Sequence, residues 1–204
     1  TGIVSFAHTM FYGIGAYGVA LSLDAWGASW GVVIAGSLLG LIVAVALALV
    51  IGLLSLRVQA IFFAMVTLAF ASAFLILASQ LSGLTGGEDG LSFRVPRALS
   101  PAFKLLGEPL FGVRVTGKIV DYYLVFFCAT GLFLLMLRLV NSPFGRVLQA
   151  IRENEFRAEA LGYRTVYYRT LANCLAAGMA ALAGALMALW LKYTGPDTTL
   201  SLGI

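Results

Sequence analysis

Long stretches without a single Asp, Glu, Lys or Arg dominate this chain: residues 9–23, 25–56, 58–87, 122–137 and 170–191. A helix needs about 20 apolar residues to cross the hydrocarbon core of a bilayer. Residues 25–56, 58–87 and 170–191 meet that length, and snorkelling flanks can extend 122–137 to it. A lone strand in lipid would leave its backbone polar groups unpaired, so runs of this kind fold as helices. Spans are therefore predicted near 6–23, 30–54, 58–79, 119–140 and 168–191. That makes an all-α, polytopic helical bundle of about five membrane segments, with residues 1–204 as a single transmembrane domain. Only 11% of the residues are charged, against about a quarter in a soluble domain. The formal charge of +4 is then loop charge. With no basic groove interleaved with aromatics, lipid and not nucleic acid is the expected surrounding.

Within the spans the informative residues are small or singly polar. Gly13-x-Gly15-x-x-Gly18 spells a dinucleotide fingerprint, but no strand–turn–helix context surrounds it. Close helix packing or a broken, re-entrant helix is the better use of those glycines. His8 precedes them, with Ser5 and Thr9 nearby. A lone histidine at a span end is more often a satisfied structural residue than a ligand. Gly36-x-x-x-Gly40 reads as a packing pair, and Thr67 and Ser72 are expected to bond back to their own helix. The last span carries small residues at Ala176, Ala180, Gly184 and Ala188, and again at Ala177, Ala181 and Ala185. Such faces let another helix approach closely. Asn173 is the strongly polar group beside them and is read as interhelical glue. Cys128 and Cys174 lack metal-ligand spacing and read as small buried hydrophobes.

Residues 141–169 form a densely charged island with Arg146, Arg152, Arg157, Arg164 and Arg169 against Glu153, Glu155 and Glu159. Ser142 suits an N-cap, Pro143 the first helical position, and Gly162 the end of the run. One helix over 143–161 is predicted, with Glu153 four residues before Arg157 for an intrahelical ion pair. Its apolar stripe is broad, so it either rests on headgroups or docks a soluble partner.

Residues 80–118 are the longest polar connection, with Pro96, Pro101 and Pro109 as punctuation. Glu88 and Asp89 lie among Gly86, Gly87 and Gly90. The spaced oxygen ligands of a calcium loop are missing, so a structural turn is expected and no metal site. Connectivity puts Arg57 and the 141–169 island on one side of the membrane, and 24–29, 80–118 and 192–204 on the other. The arginines of the first side crowd the span ends, which places that side in the cytoplasm and 80–118 outside. The chain opens on Thr1 without an initiator Met and stops where another apolar segment could begin. It is therefore expected to be an internal piece of a longer protein.

The stretch SPFGRVLQAIRENEFRAEALGY, residues 142–163, resembles the cytoplasmic loop of the permeases of branched-chain amino acid ABC importers. His8, Phe11, Gly13, Ile14, Gly15, Ala16 and Tyr17 match that family's first-span signature, and LTGGEDGL resembles one of its external-loop stretches. The resemblance implies that 141–167 is a coupling loop seated in a cleft of an ATP-hydrolysing subunit. Arg146, Arg152, Glu153, Asn154, Glu155, Arg157, Glu159 and Gly162 would form its surface. His8, Gly13, Gly15, Asn173 and Gly184 become pathway or packing candidates; Gly86, Gly87, Glu88 and Asp89 belong to the external loop. The implied partners are a homologous second permease subunit, two ATP-binding cassette subunits and an external solute-binding protein. The implied setting is the bacterial inner membrane.

No Gly-x-x-x-x-Gly-Lys-Ser/Thr stretch occurs, so any nucleotide would bind another chain and no cofactor is expected here. The alternative is an ion-coupled secondary transporter, which would place ionisable groups near mid-membrane. Here every Asp, Glu, Lys and Arg falls outside a span or at its edge. An intramembrane enzyme would need a carboxylate or a second histidine near His8 and Ser5, and none is at hand.

Overall fold

The computed structural model describes residues 5–55, 60–100 and 116–199. Five long helices form close to the predicted spans: α1 (His8–Trp26), α2 (Trp30–Ser55), α3 (Ala60–Gln80), α5 (Gly117–Val140) and α8 (Thr165–Leu191). Between and after them lie α4 (Ser82–Thr85), strand β1 (Leu91–Ser92), α6 (Pro143–Glu153), α7 (Glu155–Ala160), strand β2 (Tyr193–Thr194) and α9 (Pro196–Thr199). The turn expected at Arg57, together with Pro101 and Pro109, lies outside the described residues. Among the described residues four helical stretches are long and apolar enough to cross a bilayer: Trp30–Leu53, Phe62–Gln80, Gly117–Val140 and Thr165–Leu191.

The fifth long helix, α1, is distinguished by burial. Met10, Phe11, Ile14, Ala16, Tyr17, Val19, Ala20 and Leu23 are all enclosed, and α2 and α8 cover it. The sequence permits this because the contact lines are glycine. A Cβ on Gly15 would collide with the backbone of Ala181, and one on Gly184 with the backbone carbonyl of Tyr12. On the other flank a Cβ on Gly18 would lie 2.9 Å from the Gly36 carbonyl oxygen and 2.9 Å from Gly40 Cα. Three backbones thus meet where lipid-facing helices would interpose side chains, the arrangement that small residues allow in membranes. Asn173 ties the outer pair together: its amide donates to the Ala48 carbonyl of α2 at 2.9 Å.

Apolar side chains fill both ends of this trio. Phe11, Ile14, Ile51, Ala71 and Cys174 pack at one end; Val19, Leu23, Phe93, Leu99 and Leu189 pack at the other. Thr67 is fully enclosed; its hydroxyl donates to the Ala64 carbonyl at 2.9 Å and accepts the Phe6 amide at 3.2 Å. By contrast α5 stands apart. Not one residue of its most apolar stretch is buried (0%). Cys128, expected in a buried position, is exposed there. Open apolar grooves of about 700 Å3 and 460 Å3 separate α5 from α8, walled by α1 in the first case and α2 in the second.

The end of the bundle opposite α6 and α7 is closed by β1 and β2, which pair antiparallel with Leu91 opposite Thr194. Gly86, Gly87 and Gly90 all have positive φ in the turn before β1. Lys192 caps α8 in the left-handed region (φ 58) and donates from Nζ to the Leu99 carbonyl at 2.9 Å.

Candidate functional site

The charged island folds into two helices, not the single predicted one. Ser142 caps α6, its Oγ accepting the Gly145 amide at 3.3 Å and donating to the Leu139 carbonyl at 2.6 Å; Pro143 opens the helix. Gly145 and Ile151 face inward, and Phe144 stacks on Tyr168 of α8 with centroids 5.8 Å apart. Asn154 breaks the run with φ −156 and ψ 105. Its amide still closes α6 on the Ala150 carbonyl at 3.0 Å, while its Oδ1 accepts the Arg157 amide at 3.0 Å and starts α7. Asparagine is among the preferred N-caps, and here that preference wins over helix continuity.

The break corrects the expected ion pair. Glu153 and Arg157 fall on different helices, both exposed, and no bridge joins them. Glu155 pairs with Arg169 of α8 instead, Oε1 to Nη1 at 2.7 Å and Oε2 to Nη2 at 2.9 Å. This two-point contact matches the guanidinium fork to the carboxylate. It is the one ion pair among the described residues. Glu159 Oε1 accepts the hydroxyl of buried Thr165 at 2.8 Å. Gly162, φ 89, ends α7 with two bonds: its own amide to the Glu159 carbonyl at 2.8 Å, and the Tyr163 amide to the Ala158 carbonyl at 3.1 Å. That is the glycine-terminated helix stop.

Helix α7 is therefore pinned along one stripe. Glu155, Ala158 and Glu159 stand at helical spacing and meet α8 or the interior. Phe156 and Ala160, four residues apart on the flank beside that stripe, are both exposed. Arg146, Arg152, Glu153 and Arg157 are exposed on α6 and α7. Sequence reasoning passed over Phe156, yet at 86% exposure it is the most exposed large apolar side chain among those described. Its setting among charges was a signal that could have found it.

The remaining candidates lie far from this elbow or inside the bundle. His8 is exposed at the start of α1, its Nδ1 3.1 Å from the Ser5 carbonyl oxygen. Gly13 and Gly15 are buried in α1, Gly184 abuts it from α8, and Asn173 bridges α8 to α2. At the opposite end Glu88 and Asp89 are exposed, and Asp89 contributes its carbonyl, accepting the Tyr193 hydroxyl at 3.0 Å. No group of three or more His, Cys, Asp or Glu among the described residues could hold a metal. Asp121, near the start of α5, was also missed: it is 2% exposed and its Oδ1 has no hydrogen-bond partner. Lying within a few residues of a span end, it looked like an ordinary edge charge in the sequence.

A glycine-seamed helical bundle with an amphipathic elbow pinned to one long helix defines a polytopic membrane protein with a handle outside the apolar zone. Over residues 1–204 the chain matches the family described as "Branched-chain amino acid transport system / permease component", and it belongs to that family. It is 28% identical to the high-affinity branched-chain amino acid transport system permease protein LivM of Salmonella typhimurium, over 97% of this chain and 49% of that protein. The Escherichia coli LivM protein of the same description is 27% identical, over 97% and 49%. A probable branched-chain amino acid transport permease protein LivM of Methanocaldococcus jannaschii is 30% identical, over 75% of this chain and 42% of that one. The chain thus spans about half the length of the curated relatives it matches. No solved structure matches it.

Proposed function

We propose that this chain is part of the permease subunit of an ATP-driven ABC importer that carries branched-chain or related amino acids across the bacterial inner membrane. The observation that carries the reading is the route from elbow to core. Glu155 and Glu159 fasten α7 to the first turns of α8, and α8 touches the α1 backbone at Gly184 and Ala181. A push on the elbow would thereby reach the centre of the bundle through α8. In this reading 141–167 faces the cytoplasm and receives the motion of an ATP-hydrolysing subunit, while 80–118 faces outward toward a solute-binding protein. Two such cassette subunits and a second, homologous permease subunit complete the assembly. The family match over residues 1–204 supports the substrate class.

The test uses the full-length subunit with its partners in sealed vesicles. Uptake of labelled leucine should require ATP on the elbow side and survive ionophores that dissipate proton and sodium gradients. Uptake that follows a gradient and ignores ATP would refute the reading in favour of ion coupling.

A further inference from the structure

Phe156 carries more information than its position in a charged loop suggests. It sits at the start of α7, immediately after the Asn154 break, and is 86% exposed. The helix that carries it is held to α8: Glu155 meets Arg169 at 2.7 Å and Glu159 meets Thr165 at 2.8 Å. The ring therefore projects from a braced helix, with the small Ala160 four residues on along the same exposed flank. Of the two α7 carboxylates, Glu155 is paired with Arg169, whereas Glu159 accepts a neutral hydroxyl and keeps its charge. The exposed charges of the elbow outside that pair are Arg146, Arg152, Arg157 and Arg164 against Glu153 and Glu159, a net positive surface. An exposed aromatic side chain on a braced helix among arginines is the composition that protein interfaces enrich at their energetic centres.

We infer that Phe156 is the anchor of the coupling elbow, seated in an apolar pocket of the ATP-hydrolysing subunit that is rimmed by carboxylates. The inference rests on the coupling reading above and names the contact through which that coupling runs. Charge complementarity selects the occupant: a cationic surface calls for an acidic one, and the family is described as the permease component of a transport system. Ala160 lets the partner approach α7 closely, while Arg152 and Arg157 set the register by pairing with the pocket rim.

The full-length subunit, assembled with its partners in native membranes, is made with the photoreactive p-benzoylphenylalanine at position 156 and irradiated. The expected adduct joins this chain to the ATP-hydrolysing subunit. An adduct with phospholipid only, with this chain only, or with nothing overturns the anchor. The same probe at Gln149 and Arg152 separates the two claims. Capture of the ATPase from those positions but not from 156 leaves the coupling reading standing and removes the anchor; capture from none removes both. In the purified complex Phe156→Ala should weaken binding of the ATPase subunit roughly 30-fold, as a hot-spot truncation does, with Phe156→Trp restoring most of it. Binding by Phe156→Ala within about twofold of the parent contradicts the anchor.

Discussion

The seam between α1 and α8 can be tested with one methyl group. At Gly184 an added Cβ would fall well inside the 3.0 Å limit from the Tyr12 carbonyl oxygen, and its next neighbours are also backbone, with Ala16 N at 3.2 Å. No side chain can rotate away, so the helices themselves must separate by roughly 1 Å to restore normal contact. Overpacking of this kind costs about 1–3 kcal/mol. Gly131, in the middle of α5, has nothing within 4 Å of the same added atom. There alanine should be neutral or stabilise by about 0.5–1 kcal/mol, because it restricts the unfolded chain and favours helix. The prediction is a contrast in thermal unfolding of the full-length protein in one detergent. Gly184→Ala should lower the midpoint by several degrees, at about 2–4 °C per kcal/mol, while Gly131→Ala leaves it unchanged or raises it. Equal midpoints for the two variants would refute the backbone seam and with it the placement of α1 at the centre.

Other outcomes follow from the same geometry. Glu155→Ala strips Arg169 of its carboxylate; for a pair with side chains 17% and 41% exposed the loss is about 0.5–1 kcal/mol, read as amide exchange in α7 roughly two- to fivefold faster. Asn173→Leu removes the bond to Ala48, and since such bonds average about 0.6 kcal/mol in membranes, the folded yield should hardly change; a collapse in yield would show that Asn173 does more than join helices. In a background without Cys128 and Cys174, Ser92→Cys should react with an impermeant thiol reagent on intact cells and Gln149→Cys only after permeabilisation. The reverse pattern would invert the proposed orientation.

The helical elements were legible because their causes are local. Charge-free length located α1, α2, α3, α5 and α8, and Ser142, Pro143 and Gly162 marked the ends of the charged run as the structure has them. What escaped the sequence depends on three-dimensional neighbours or on competition between local preferences. Asn154 can continue a helix or cap a new one, and only the cap lets Glu155 reach Arg169 fourteen positions away. Nothing in the spacing of Gly184 says that it meets Tyr12 of α1 and not a separate subunit. Phe156 was passed over because exposure is a property of the fold. Asp121 was taken as an edge charge because its enclosure comes from surrounding segments.

Whether elbow and core move as one lever can be read from a distance. Spin labels at Gln149→Cys on α6 and Leu191→Cys at the far end of α8, in the cysteine-free full-length subunit within its assembled transporter, would be measured without nucleotide and with ATP trapped. One lever gives one narrow distance distribution, unchanged between the two states, while distances from Gln149 to the partner subunits shift. A label pair whose separation changes with nucleotide, or broadens into two populations, would show that the elbow flexes on α8 and would contradict it.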